Sequence, residues 1–292
     1  MAKIIRKVIF LALIALVAVI LYVYDATEIP TEDVLLTNEI GQSQVTQCIT
    51  QTTKAPLDRH GKLDITTWNL YKQQSDGWEQ TLTQLIERTD LLLLQEAQLT
   101  QELKSVLEEQ QLYMLLARAF NFSSEAIGVM NLSRDKALSS CVFRKAEPYI
   151  NFPKSMLVSY YLLSDASQLL VVNIHSINFT FGIDEYLAQL NVVKQAMQDH
   201  QGPIIFAGDM NTWSEQRSLA IAEIVKGAGL VEAVPKHDSR TAFFGHHLDH
   251  IYYRNLELIK AESIITTSSD HNPLKAYFRL EKQYPDKLQS LK

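Results

Sequence analysis

Five short apolar runs in this chain each lead into a polar residue able to do chemistry. Ile65-Thr66-Thr67-Trp68 ends on Asn69, and Leu91-Leu92-Leu93-Leu94-Gln95 ends on Glu96. Leu169-Leu170-Val171-Val172-Asn173-Ile174 ends on His175, and Ile204-Ile205-Phe206-Ala207-Gly208 ends on Asp209, with Asn211 two residues on. The last segment, Ser268-Ser269-Asp270-His271-Asn272-Pro273-Leu274, sets a carboxylate beside an imidazole. Short β-rich apolar runs read as buried strands. Ligand sites in α/β proteins gather beyond the carboxyl ends of such strands. Residues distant in sequence therefore meet at one edge of a core. Their composition is that of a metal-assisted hydrolytic site: carboxylates, amides and imidazoles, without a conspicuous nucleophilic Ser or Cys.

Helical patterns alternate with these runs. Ser75 or Asp76 could cap a helix with Trp78, Leu82, Leu85 and Ile86 on one face. Asp184 could cap another, carrying Tyr186, Leu190, Val193 and Met197; further helices are expected near 215–226 and 102–110. Additional strands are expected at 126–132, 140–144, 155–163, 248–253 and 275–280. Several follow one another without a helix between them, so the sheet is mixed. At 47% hydrophobic and 21% charged residues, the 292-residue chain has ample material for a core.

The N-terminus obeys another rule. Residues 8–24 are an unbroken apolar or aromatic run of 17 residues, preceded by Lys3, Arg6 and Lys7. That is the short end of a membrane span and longer than a usual signal-peptide core. Lys7 and Arg6 can snorkel, which extends the span through Ile4 and Ile5. A cleaved signal peptide is the rival, but no A-x-A-like site follows. The basic flank keeps the N-terminus cytoplasmic and sends the rest across, into the periplasm of a bacterium. Residues 1–24 are thus a single-pass inner-membrane anchor, with residues 4–24 in the bilayer. Residues 25–62 are a polar tether with at most short local structure, 63–280 the catalytic domain, and 281–292 a polar tail.

Beyond the anchor, 24 basic residues face 33 acidic ones, a formal charge of −9. This is not the footprint of bulk-charge nucleic-acid binding, nor of tight docking on anionic lipid. Cys48 and Cys141 are a pair that a translocated domain could oxidise, or two unrelated thiols.

Each candidate site residue also has a plain alternative. Glu96, after four leucines, reads as a metal ligand suited to Mg²⁺, or as a helix-starting surface glutamate. Asp209 can orient or deprotonate a water and Asn211 can hold a phosphate oxygen, or the two form an Asx turn. Gly208 permits a tight backbone turn. His175 is an imidazolium stabilising a phosphorane-like transition state, or a neutral core histidine. Asp270 can meet a metal while His271 meets substrate, with Asp249 orienting the histidine. His246-His247-Leu248-Asp249-His250 lacks recognised zinc spacings, and strand alternation would split its side chains between faces.

At these residues the chain resembles the endonuclease/exonuclease/phosphatase (DNase I-like) superfamily. The blocks are Thr67-Trp68-Asn69, Leu94-Gln95-Glu96, Asn173-Ile174-His175, Gly208-Asp209-Met210-Asn211, Leu248-Asp249-His250-Ile251 and Ser269-Asp270-His271-Asn272-Pro273-Leu274, in family order across residues 63–280. The stretches Trp68-Asn69-Leu70-Tyr71-Lys72-Gln73-Gln74 and Val172-Asn173-Ile174-His175-Ser176-Ile177-Asn178-Phe179 are similar to the bacterial YafD-like branch. The resemblance implies an α/β (α+β) four-layer sandwich: two packed mixed β-sheets flanked by helices. It implies Glu96 binding Mg²⁺ or Mn²⁺ with Asn69 and Asp270. Asp209 would activate water, Asn211 hold phosphate, His175 and His271 contact the scissile phosphate, and Asp249 orient His271. The expected activity is a phosphodiesterase acting on nucleic acid or a smaller phosphodiester, by in-line attack of water. The alternative substrate is a lipid head group or a sugar phosphate. A non-enzymatic binding module is the third reading, which the full set of polar site residues argues against. No protein partner is expected.

Overall fold

The computed structural model describes residues 2–38, 46–180 and 182–281. Two mixed sheets dominate it. In spatial order the first holds Thr27–Glu28, Tyr113–Phe122, Glu125–Ser133, Leu91–Gln98, Lys62–Asn69, Leu274–Leu280 and Leu256–Ser263; Val34–Thr37 also pairs with Tyr113–Phe122. The second runs Val231–Glu232, Asp249–Arg254, Ile204–Asp209, Gln168–His175, Pro153–Leu162, Ser139–Ala146 and Cys48–Thr50. Each sheet has one parallel pair near its middle: Lys62–Asn69 with Leu91–Gln98, and Gln168–His175 with Ile204–Asp209.

The uninterrupted apolar runs now have a reason. Successive strand residues face opposite sides, and both sides are covered. Leu91, Leu93, Leu169, Val171, Ile205 and Ala207 fill the core between the sheets. Leu92 and Leu94 pack outward with Leu82, Leu85, Ile86, Leu103 and Leu107 of helices Trp78–Glu87 and Gln101–Glu109. Leu170, Val172 and Phe206 do the same against Tyr186, Leu190, Val193 and Ile221 of helices Asp184–Gln198 and Glu215–Gly227. The result is the expected four-layer sandwich, with an N-terminal apolar helix, Ala2–Ala26, outside it.

Local details differ from the sequence reading. The Trp78 helix is capped by Gly77 in a left-handed conformation (φ 79°), not by Ser75 or Asp76, and makes no side-chain cap bond. Asp184 is the first helical residue after Ile183, whereas Ser214 caps the Glu215 helix by accepting from the Arg217 N–H. Strands Tyr113–Phe122 and Leu256–Ser263 were not anticipated. The polar segment after the N-terminal helix contributes three short strands that pair with the two sheets. Of the expected polar tail, all beyond Glu281 lies outside the described residues.

Cys48 and Cys141 face each other directly across an antiparallel pair and form a disulfide, with Cα atoms 4.1 Å apart. It closes a loop with a sequence separation of 93 residues, so reduction should cost roughly 2–4 kcal/mol. Thermal melts with and without reductant check this; an unchanged melting temperature would show that the edge strand holds without it.

Candidate active site

Register brings the polar strand ends together. His175 lies opposite Asp209, and Asp209 opposite Asp249, a row across three adjacent strands. Asn69 lies opposite Gln95 in the other sheet. Along the inward faces, apolar residues give way first to a buried polar layer. Gln95 Nε2 donates to Asn173 Oδ1 at 2.7 Å, and Asn173 Nδ2 donates to Asn131 Oδ1 at 2.9 Å. Above that layer stand Asn69, His175, Asp209 and Asp249. Strict alternation would send Glu96 to the opposite face from Gln95. The strand is irregular between Leu94 and Ala97, and Glu96 has φ 51°. A β-bulge of this kind re-aims a side chain, and Glu96 joins the cleft.

Gly208 is not in a turn. It lies within its strand at φ 136°, where a Cβ would stand 2.0 Å from the carbonyl oxygen of Ile174. Asp209 Oδ1 accepts from the Asn211 N–H (3.0 Å) and Oδ2 accepts from Asn69 Nδ2 (2.9 Å). The Asx turn therefore forms, and it immobilises the carboxylate. Asn211 Nδ2 donates to the carbonyl of Ser176 at 2.9 Å.

The His271 loop is tied to the neighbouring strand end. Trp68 Nε1 donates to the His271 carbonyl (3.0 Å), and Ser269 Oγ donates to the Asn69 carbonyl (2.7 Å). His271 Nδ1 lies 2.7 Å from Asp249 Oδ2. Asp270 is exposed to the cleft while His271 is buried, so the adjacent pair does point two ways.

Electrostatics separate the two histidines. Burial opposes charge on His271, but Asp249, Asp209 and Asp270 override it and raise its pKa to about 10. For His175, burial first and then Lys154, Lys72 and His271 hold the pKa well below the usual value. His175 is thus neutral at pH 7, not the imidazolium the sequence allowed, and its Nε2 lies 2.9 Å from Lys154 Nζ. Burial foremost, aided by Asp249, pushes Asp209 to about 6 against the pull of His271, the Asn211 N–H and Asn69. Glu96 is also buried, which opposes ionisation, yet Lys154 and Lys72 hold its carboxyl below the ordinary value. Lys72 Nζ ion-pairs with Glu96, and His175 Nε2 lies 3.8 Å from it.

Lys72 and Lys154 were missed as site residues. Lys72 stands inside a quoted motif, but nothing local marks Lys154, which reaches the site from the start of its own strand. The His246–His250 run is no zinc cluster: His250 bonds Glu232 while His246 meets Ser218. Asp209, Asp249 and His271 do offer ligand atoms within 4.8 Å of one another. All the expected site residues except Asp249 line one cleft of about 1160 Å³; Asp249 lies behind His271.

The four-layer sandwich and the polar cleft at its strand ends are the features by which the chain can be compared with known proteins. A sequence profile described as Endonuclease/Exonuclease/phosphatase family matches residues 66–271, and the chain belongs to that family. It is 43% identical over 239 residues to a UPF0294 protein of Vibrio vulnificus (strain CMCP6), covering 82% of this chain and 84% of that one. Its fold is similar to an endonuclease/exonuclease/phosphatase from Beutenbergia cavernae (TM-score 0.59, 15% identity, 75% of this chain and 72% of the other). It is similar also to the human Nocturnin catalytic domain, solved with a bound sulfate anion (TM-score 0.58, 16% identity, 77% and 96%).

Proposed function

We propose that this chain is a membrane-anchored, divalent-metal-dependent phosphodiesterase in which water attacks phosphorus in line, with no covalent enzyme intermediate. One observation carries the reading. The carboxylates Asp209, Glu96 and Asp270 and the imidazoles His175 and His271 converge in a single cleft, with Asp249 Oδ2 2.7 Å from His271 Nδ1.

Two places could hold the cation. The Asp209, Asp249 and His271 group is compact, but its atoms are already engaged: His271 Nδ1 with Asp249, and Asp209 with Asn69 and the Asn211 N–H. Glu96, with Asn69 and Asp270, offers hard oxygen donors at the cleft wall, and this set suits Mg²⁺ or Mn²⁺. When bound there, the cation supplies Lewis acidity and neutralises charge on the phosphoryl oxygens.

The remaining roles belong to the chain. Asp209, ionised and held by Asn69 and the Asn211 N–H, takes a proton from water. His271 offers Nε2–H to a phosphate oxygen as charge grows, and Asp249 positions it. Neutral His175 holds the Lys154 ammonium beside the phosphate site. Asn211 spends one amide hydrogen on Ser176 and has the other for phosphate. The Ile4–Ala26 segment is 23 residues, about 35 Å as a helix, enough to cross a bilayer. The basic N-terminal flank and the Cys48–Cys141 disulfide support a domain on the periplasmic side.

The test is hydrolysis of bis(p-nitrophenyl) phosphate by the full chain, with EDTA abolishing turnover and Mg²⁺ or Mn²⁺ restoring it. Turnover indifferent to EDTA would sink the metal assignment.

The pH profile is a second prediction. Asp209 works deprotonated, so kcat/KM rises as pH climbs through about 6. His271 works protonated, so activity falls as pH approaches about 10. Asp249→Asn removes the leading support of that cation and should draw the alkaline limb down by at least about one unit. An unmoved limb would mean that His271 does not set it.

A further inference from the structure

We infer that the ester taken by this site is a glycerophospholipid, delivered into the cleft from the bilayer that holds the anchor; this rests on the hydrolase reading above. The anchor ends at the cleft, not at the far end of a leash. Val23 and Thr27 line the cleft itself. The Ser123 N–H donates to the Ala26 carbonyl at 2.8 Å, Thr27–Glu28 pairs with the Phe122 strand, and the Tyr22 and Phe122 rings meet edge to face at 6.4 Å. The boundary of the membrane and the mouth of the site are therefore neighbours.

The mouth is apolar. Tyr149, Phe179, Phe243 and Phe244 all line it, and they are 60%, 58%, 53% and 80% exposed. Exposed apolar patches of this kind mark contact surfaces. Phe243 and Phe244 sit at the tip of a small hairpin, Ala242–Phe243 against His246–His247. Its two turn residues, Phe244 and Gly245, both have positive φ, 49° and 81°. Asn-Gly suits that turn; a bulky aromatic at its first position is disfavoured. The chain thus holds an aromatic outward at a strained position on the rim.

Charge selects among esters. The part beyond the anchor is acidic, which repels a polyanion, while the cleft's two lysines, Lys72 and Lys154, already face Glu96 and leave little positive charge to draw in a nucleic-acid backbone. Apolar contact, not basic charge, then brings substrate in. In the reaction water oxygen bonds phosphorus, one P–O ester bond breaks, the water proton passes to Asp209, and the leaving alkoxide takes a proton from solvent.

The test uses the full chain in vesicles of phosphatidylethanolamine and phosphatidylglycerol with Mn²⁺, beside single-stranded DNA and bis(p-nitrophenyl) phosphate. Vesicle lipid should be cleaved at least about ten-fold faster than DNA, and Phe243→Ser with Phe244→Ser should lower the lipid rate by about ten-fold. Independently of activity, Phe244→Trp should add fluorescence that brominated acyl chains quench, above the wild-type signal. Intact lipid beside a cleaved soluble diester, faster cleavage of DNA, or no added quenching overturns the lipid assignment. If vesicle lipid, DNA and the soluble diester all stay intact with Mn²⁺, the hydrolase reading falls instead, and the quenching arm still reports whether the rim enters the bilayer.

Discussion

Asp209→Asn should cut kcat on a soluble phosphodiester by about 10³, with KM little changed, while the protein becomes more stable. The amide keeps the shape of the carboxylate, and its oxygen can still accept from the Asn211 N–H. What it lacks is basicity and a second acceptor, so the bond from Asn69 Nδ2 is lost, which offsets part of the gain in stability. The gain in stability follows from the sign of the pKa shift. Asp209 titrates at about 6 in the folded chain against 3.8 for an ordinary aspartate, because burial penalises its charge. The folded state thus holds the proton more tightly than the unfolded state, and stability declines as pH rises from 3.8 through about 6. Above that the ionised carboxylate costs on the order of 3 kcal/mol, which a neutral amide does not incur. A melt at pH 8 beside steady-state kinetics checks both halves. A variant with more than a tenth of wild-type turnover would remove Asp209 from the role of base. A slow variant with a lowered melting temperature would point to misfolding.

The sandwich was legible because apolar runs of strand length require cover on both faces, and amphipathic helices between them provide it. The row His175, Asp209 and Asp249 was legible as three strand ends, since parallel and antiparallel pairing aligns such ends. What escaped the sequence was set by tertiary context. Leu256–Ser263 is an edge strand whose Glu257, Lys260 and Glu262 hide its pattern. Tyr113–Phe122 is buried on both faces over residues 114–117, which hides the alternation of its second half. The bulge at Glu96 is a backbone event with no residue signature: a glutamate at positive φ looks like any other glutamate. The charge of His175 depends first on its burial and then on Lys154 and Lys72, drawn from separate elements, so only the assembled cleft reveals it as neutral. The Cys48–Cys141 bond depends on the register of a three-residue edge strand. The apolar rim arises from loops whose aromatic residues, read singly, are ordinary surface residues.

Gly208→Ala should abolish folding, or destabilise the chain by more than about 4 kcal/mol, although it adds one methyl group. The added Cβ would stand 2.0 Å from the Ile174 oxygen and 3.0 Å from its carbonyl carbon, both backbone atoms of the adjacent parallel strand. No side chain can move aside. The strand cannot move either without breaking its ladder to Gln168–His175, or the bond by which the Ser176 N–H donates to the Asp209 carbonyl at 2.9 Å. At φ 136° alanine is also strained whatever the space around it. Urea denaturation of the purified variant, or its recovery as insoluble protein, reads the effect; a midpoint within experimental error of wild type would refute it. The close approach has a use. It draws together the two strand ends that carry His175 Nε2 and Asp209 Oδ2, which lie 3.5 Å apart. A variant that did fold by spreading those strands should therefore lose turnover without losing Asp209, and restoring glycine alone should recover it.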